Sequence, residues 1–131
     1  MVYRTTCLSR VLLAAGALTA ALLLSTASAG AHHGWGGYLD QTTEMTGTVE
    51  SPVSFEGAHA YMKIRTQDGV WDVVLAPPGR TANAGLKPDT LPVGAQVTVR
   101  GNRHRDPKKL EIKVSRLTWN ERTFDVYPER S

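Results

Sequence analysis

His32 and His33 stand side by side, and neutral imidazoles suit borderline divalent metals. Cu(II) fits best, because it favours square-planar nitrogen ligation and outcompetes the other first-row divalent ions at such sites. A chain cut before His32 begins with a residue whose free amine and imidazole supply two nitrogens at once. A third nitrogen from a distant imidazole then completes a T-shaped set, and His59 is the candidate for it. A cut after Ala29 gives the start Gly30-Ala31-His32, in which the amine, two deprotonated amides and one imidazole wrap Cu(II) in a plane. Either cut makes a copper chelate, with His33 adjoining it. The plain alternative is that the twin histidines are polar tail residues. His104 lies in Arg103-His104-Arg105, where the flanking charge disfavours a cation and a solvated ring is expected.

The cuts matter because the chain opens as a secretory leader. Residues 1–10 carry Arg4 and Arg10 and no acid, residues 11–24 are an apolar run too short to span a bilayer, and Ser25-Thr26-Ala27-Ser28-Ala29-Gly30-Ala31 is a small-residue stretch. Ala27-Ser28-Ala29 and Ala29-Gly30-Ala31 both satisfy the small-x-small rule. The reading is a signal peptide over 1–31 and a periplasmic or secreted product. With no cysteine ending the apolar run, no stable membrane anchor is expected after cleavage.

Removing the leader takes two of the 15 Lys+Arg and none of the 12 Asp+Glu, so the formal charge falls from +3 to +1. The positive balance of the whole chain is thus no argument for nucleic acid. Cys7, the one cysteine, is in the leader, which leaves the remainder without a disulfide, a thiolate ligand or a cysteine nucleophile. About 100 residues remain, enough for a single domain.

The elements that must position the histidines read as strands. Alternation marks residues 45–49 and 60–65, with Lys63 and Arg65 on the face opposite Met62 and Ile64. Gln67-Asp68-Gly69 is a hairpin turn, and residues 70–75 return from it. Pro77-Pro78-Gly79 ends that strand, and residues 80–86 suit two turns of helix. Alternation resumes up to Gly101 and again in Leu110-Glu111-Ile112-Lys113-Val114, with charges on one face. A last hairpin joins 117–119 to 123–127 through Asn120-Glu121-Arg122. Five to six strands with one short helix between the third and fourth is the order of an OB-fold, so the expected class is all-β, a small OB-fold-like antiparallel barrel. The expected organisation is 1–31 leader, 32–43 a segment carrying histidines and aromatics, and 44–131 barrel.

Three stretches carry a family resemblance. Ala31-His32-His33 ends the leader, Gly57-Ala58-His59-Ala60 precedes the second strand, and Gly94-Ala95-Gln96-Val97-Thr98-Val99-Arg100-Gly101 follows the helix. The chain resembles an uncharacterised family of small exported bacterial proteins that keep Ala-His-His at this place, Asn-Pro-His-Ala before the second strand, and Gly-x-x-Val-x-Val-x-Gly after the helix. In this chain the Asn-Pro pair is replaced by Gly57-Ala58. The resemblance implies the fold and the histidine site, and no activity.

Two further segments have readings of their own. In Gly34-Trp35-Gly36-Gly37-Tyr38 the glycines permit close backbone approach while the rings pack, which could pin the tail to the barrel and hold His32 near His59. The other reading is an aromatic cover for the open barrel end. Residues 100–109 read as a cationic loop, whose Arg103, Arg105, Lys108 and Lys109 would recognise an anionic ligand or partner protein in a metal-free binding module. No hydrolase elbow, zincin motif or phosphate loop occurs, so an enzyme, such as a copper oxygenase, is the minority reading. The function expected is an exported, periplasmic copper-binding protein that buffers copper or delivers it to a periplasmic or membrane copper protein.

Overall fold

A computed structural model describes residues 34–131, which form one unit. The expected leader over 1–31 and the twin histidines His32 and His33 lie outside the described residues. Six strands and two short helical elements follow in the order β1 (Tyr38–Ser54), β2 (Tyr61–Thr66), β3 (Gly69–Val74), α1 (Pro78–Asn83), β4 (Gln96–His104), β5 (Glu111–Trp119), β6 (Arg122–Asp125) and a 3-10 turn at Pro128–Arg130. No described helix is long and apolar enough to cross a membrane.

The alternation determines which side chains turn inward. Met62 and Ile64 pair with Val73 and Trp71 across the β2–β3 hairpin, and all four are buried, while Lys63 and Arg65 face outward to Asp72 and Glu50. β1 pairs antiparallel with β2 on one side and β4 on the other, β4 pairs with β5, and a parallel pairing of Asp72–Val74 with Glu111–Lys113 closes the ring. Five strands therefore make a closed barrel in OB-fold order, with the helix between the third and fourth, and β6 is added to β5.

Several features depart from the expectations. The first strand starts at Tyr38, well before the alternating stretch, because its leading residues are solvent-exposed on both faces and show no apolar period. The helix is shorter than residues 80–86. Gly85 takes a left-handed φ of +95°, and its N–H and that of Leu86 bond back to the carbonyls of Ala82 and Thr81, closing α1 at Asn83. The segment expected as a cationic loop from Arg100 is strand as far as His104, pairing with Tyr38 and with Ile112, so only residues 105–110 connect β4 to β5. Lys113 belongs to the face read as charged, yet it is 2% exposed.

β5 is continuous across the two segments read separately, because Ser115 forms a bulge. Pairing with β4 skips from Gly101↔Val114 to Arg100↔Arg116, and the Ser115 carbonyl accepts the N–H groups of Val126 and Tyr127. Before the bulge β5 pairs with β3, and after it with β6. The final hairpin turns on Asn120 and Glu121, both at positive φ, as a two-residue primed turn requires.

Gly101 lies so close to β5 that an added Cβ would sit 2.1 Å from the Lys113 carbonyl oxygen, whereas nothing lies within 4 Å at Gly79. Gly101→Ala should therefore cost about 3 kcal/mol or more, since backbone cannot yield as a side chain can. Gly79→Ala should be neutral or slightly stabilising in the same denaturant titration. Arg116 holds the Asp125 carboxyl below its usual range at 2.6 Å. A depressed folded value adds stability that is present at neutral pH and lost as pH falls below about 4. With both side chains more than a third exposed, Asp125→Asn should cost under about 1 kcal/mol at pH 7 and nothing near pH 2, by thermal melts across pH.

Candidate functional site

His59 lies in the bend between β1 and β2, directly before the strand that carries Met62 and Ile64 inward, and it is half-buried. Its pKa is lowered, first by burial and then by the charge of Lys113. Both effects favour the neutral imidazole, which is the form that binds a metal.

Lys113 points outward from β5 between the inward Ile112 and Val114, where a lysine would ordinarily reach water. Here both ends of the described chain cover it. Its ammonium donates to the Gly34 carbonyl and lies 4.6 Å from the centre of the Trp35 ring, 5.7 Å from that of Tyr38 and 5.8 Å from that of Tyr127. Burial, and secondarily the charge of Arg130, lower its pKa. The Arg130 guanidinium sits 4.2 Å from the Trp35 ring centre, so the indole has a cation at each of two contacts and meets Tyr127 edge-on at 5.1 Å.

The rest of the segment is bound as tightly. The Tyr38 hydroxyl donates to Glu111 at 2.5 Å, and its pKa is raised by burial and by that hydrogen bond. Arg105 donates from its backbone N–H to the Gly37 carbonyl at 2.9 Å and from Nε to the Gly36 carbonyl at 3.1 Å. The carbonyls of Gly34, Gly36 and Gly37 are all engaged. Residues 34–38 thus form a strap on the outside of the barrel.

Of the sequence-derived metal ligands, the described residues include His59 and not His32 or His33, and they contain no group of three or more His, Cys, Asp or Glu side chains that could hold a metal. His104 ends β4, packs edge-on to Tyr38 at 5.7 Å and accepts the Asp106 N–H at Nδ1. Arg103 is a strand residue whose guanidinium lies 4.6 Å from the Trp71 ring centre, while Lys108 and Lys109 are exposed in the connection after Arg105. Sequence reasoning missed Lys113 and the Tyr38–Glu111 bond. A lysine in an otherwise well-formed strand has no local mark of burial; the Gly-Trp-Gly-Gly-Tyr run was the one available signal.

The chain belongs to a family of unknown function, DUF6152, which matches residues 20–113. No curated protein matches it. Among solved structures it is similar to apo TiaS, a tRNA agmatidine synthetase, at 21% identity and a TM-score of 0.47 over 60% of this chain and 18% of that one. A ZRD-deleted TiaS mutant in complex with agmatine matches at 19% identity and a TM-score of 0.48, over 66% and 26%. The Stn1–Ten1 complex of S. pombe matches at 12% identity and a TM-score of 0.46, over 62% and 59%. The chain spans about a fifth to a quarter of the TiaS chains it matches.

If the strap depends on these bonds, Lys113→Met should speed amide exchange at Tyr38, whose N–H bonds the Trp35 carbonyl, while exchange in β2 stays unchanged. Tyr38→Phe should cost about 1 kcal/mol by denaturant titration.

Proposed function

We propose that this DUF6152 protein is an exported, periplasmic copper-binding protein that buffers or delivers copper through His32, His33 and His59. The observation that carries the reading is the strap. Gly34 directly follows the twin histidines, and its carbonyl is fixed to Lys113, the residue whose charge acts on His59. In the chain His33 directly precedes Gly34, a backbone point fixed to the lysine whose charge bears on His59. Anchoring of this kind lowers the ordering cost of a chelate.

The donor set is entirely nitrogen: a terminal amine with an imidazole, or the amine and amides of Gly30-Ala31-His32, joined by His59. Such a set suits Cu(II) over the other divalent ions. Copper, when bound, supplies a redox-active centre; the chain's own contribution is to present neutral nitrogens and to hold the strap. Lys113 opposes a cation as it opposes protonation of His59, and its ammonium is held against the Gly34 carbonyl and the faces of three rings.

Titration of the purified protein, by calorimetry and electron spin resonance, should give one Cu(II) bound through nitrogen. His32→Ala should weaken it by more than the roughly 10–100-fold lost with an outer-shell partner, as should a tag placed before His32. His59→Ala should be intermediate and His104→Ala silent, and affinity should fall as pH drops through the histidine range. Equal affinity in wild type and His32→Ala would reduce the twin histidines to tail residues.

A further inference from the structure

A second concentration of chemistry lies where β1 and β4 part. Their pairing skips from Tyr38↔His104 to Thr42↔Asn102, and the buried Asn102 amide donates to the bulged carbonyls of Leu39, Asp40 and Gln41 at 2.9, 3.2 and 3.4 Å. Opposite the bulge, Asp106 organises the connection to β5. Its backbone N–H bonds His104, its carbonyl accepts the Lys109 N–H at 3.1 Å, and its carboxylate accepts the Lys108 N–H at 2.9 Å. Between these walls is a cleft of about 370 Å³, whose lining includes Arg103, Arg105, Lys109, Gln41, Thr43 and Leu39 together with His104 and Pro107.

Three cations line the cleft and no carboxylate does. The four ion pairs among the described residues involve other cations, Lys63, Arg65, Arg80 and Arg116, and leave these three without an acidic partner. The nearby acids do not line it: Asp106 accepts the Lys108 N–H, and Asp40, between the lining residues Leu39 and Gln41, is not among the lining residues itself. Both guanidiniums are already oriented, Arg103 over Trp71 and Arg105 by the Gly36 carbonyl, so binding a ligand orders little that is not ordered. An arginine has five donors and each of these spends few.

We infer that this cleft binds a phosphate monoester. Two arginines, a lysine, Gln41 and Thr43 line the cleft and together carry more donors than the two oxygens of a carboxylate accept, enough for a dianion with three terminal oxygens. The volume suits a small organic ligand, whose carbon portion meets Leu39 and Pro107. None of His32, His33 or His59 is involved, so the inference stands apart from the copper reading.

The test is calorimetric titration of the purified, metal-free protein with glycerol 3-phosphate, and flotation with phosphatidylcholine vesicles with and without phosphatidic acid. Binding is expected, weakening as salt rises. The double variant Arg105→Gln, Lys109→Gln should lose tenfold or more, roughly the loss of one charged hydrogen bond. Because Arg105 also holds the strap, Lys109→Gln is made alone. Its side chain is exposed, and the variant should bind a few-fold more weakly with an unchanged melting temperature. Lys63→Gln, which breaks the pair with Asp72, should bind as wild type does, and so should His59→Ala. Binding of glycerol 3-phosphate assigns the monoester to a soluble ligand, and binding only of the phosphatidic acid vesicles assigns it to a lipid headgroup. Absence of both, or a loss in Lys63→Gln equal to that in Lys109→Gln, overturns the inference.

Discussion

The backbone of Gly101 touches the backbone of Lys113, and the barrel depends on that approach. β4 can come this close only because position 101 has no Cβ; any side chain would strike the Lys113 carbonyl. Immediately beyond the contact, Ser115 is extruded as a bulge and the twist of β5 changes. The strand therefore gives its first half to β3, closing the ring, and its second half to β6. Closure removes the exposed edges that β3 and β5 would otherwise present, and edges invite association with other chains.

The same contact fixes where the Lys113 side chain emerges. It leaves the barrel at the junction of β5 with β3 and must be either solvated or covered. Trp35 and Tyr38 from one end of the domain and Tyr127 from the other cover it, and the Gly34 carbonyl takes one of its protons. A buried ammonium without such partners would cost several kcal/mol. The lysine thus requires the strap, and the strap in turn orders the residue that follows the twin histidines. The chemistry proposed for the histidines and the closure of the barrel share this one residue.

The cationic residues divide according to backbone, not sequence proximity. Arg103 lies in β4 over Trp71, Arg105 ties down Gly36 and Gly37, and Lys108 and Lys109 remain in the exposed connection. Four charges that look like one patch along the chain therefore have three different surroundings. The bulge stapled by Asn102 then places the opposite wall of a cleft against them.

Sequence alone determined the strand count to within one, the apolar faces, both hairpin turns and the place of the helix, because alternation and turn chemistry are local properties of a few residues. It also singled out His59 and the Gly-Trp-Gly-Gly-Tyr run, since unusual residue types are visible without a fold. The early start of β1 was hidden because Leu39, Asp40, Gln41 and Thr42 are exposed and carry no period; the pairs Tyr38↔His104 and Thr42↔Asn102, and the Asn102 amide on the carbonyls between them, hold that stretch to β4. Burial of Lys113 was hidden for a deeper reason. Its cover comes from Gly34, 79 residues away along the chain, and no local pattern records a contact made by folding. Tertiary structure decided which charges are solvated, because burial belongs to the arrangement of distant segments rather than to the residue that is buried.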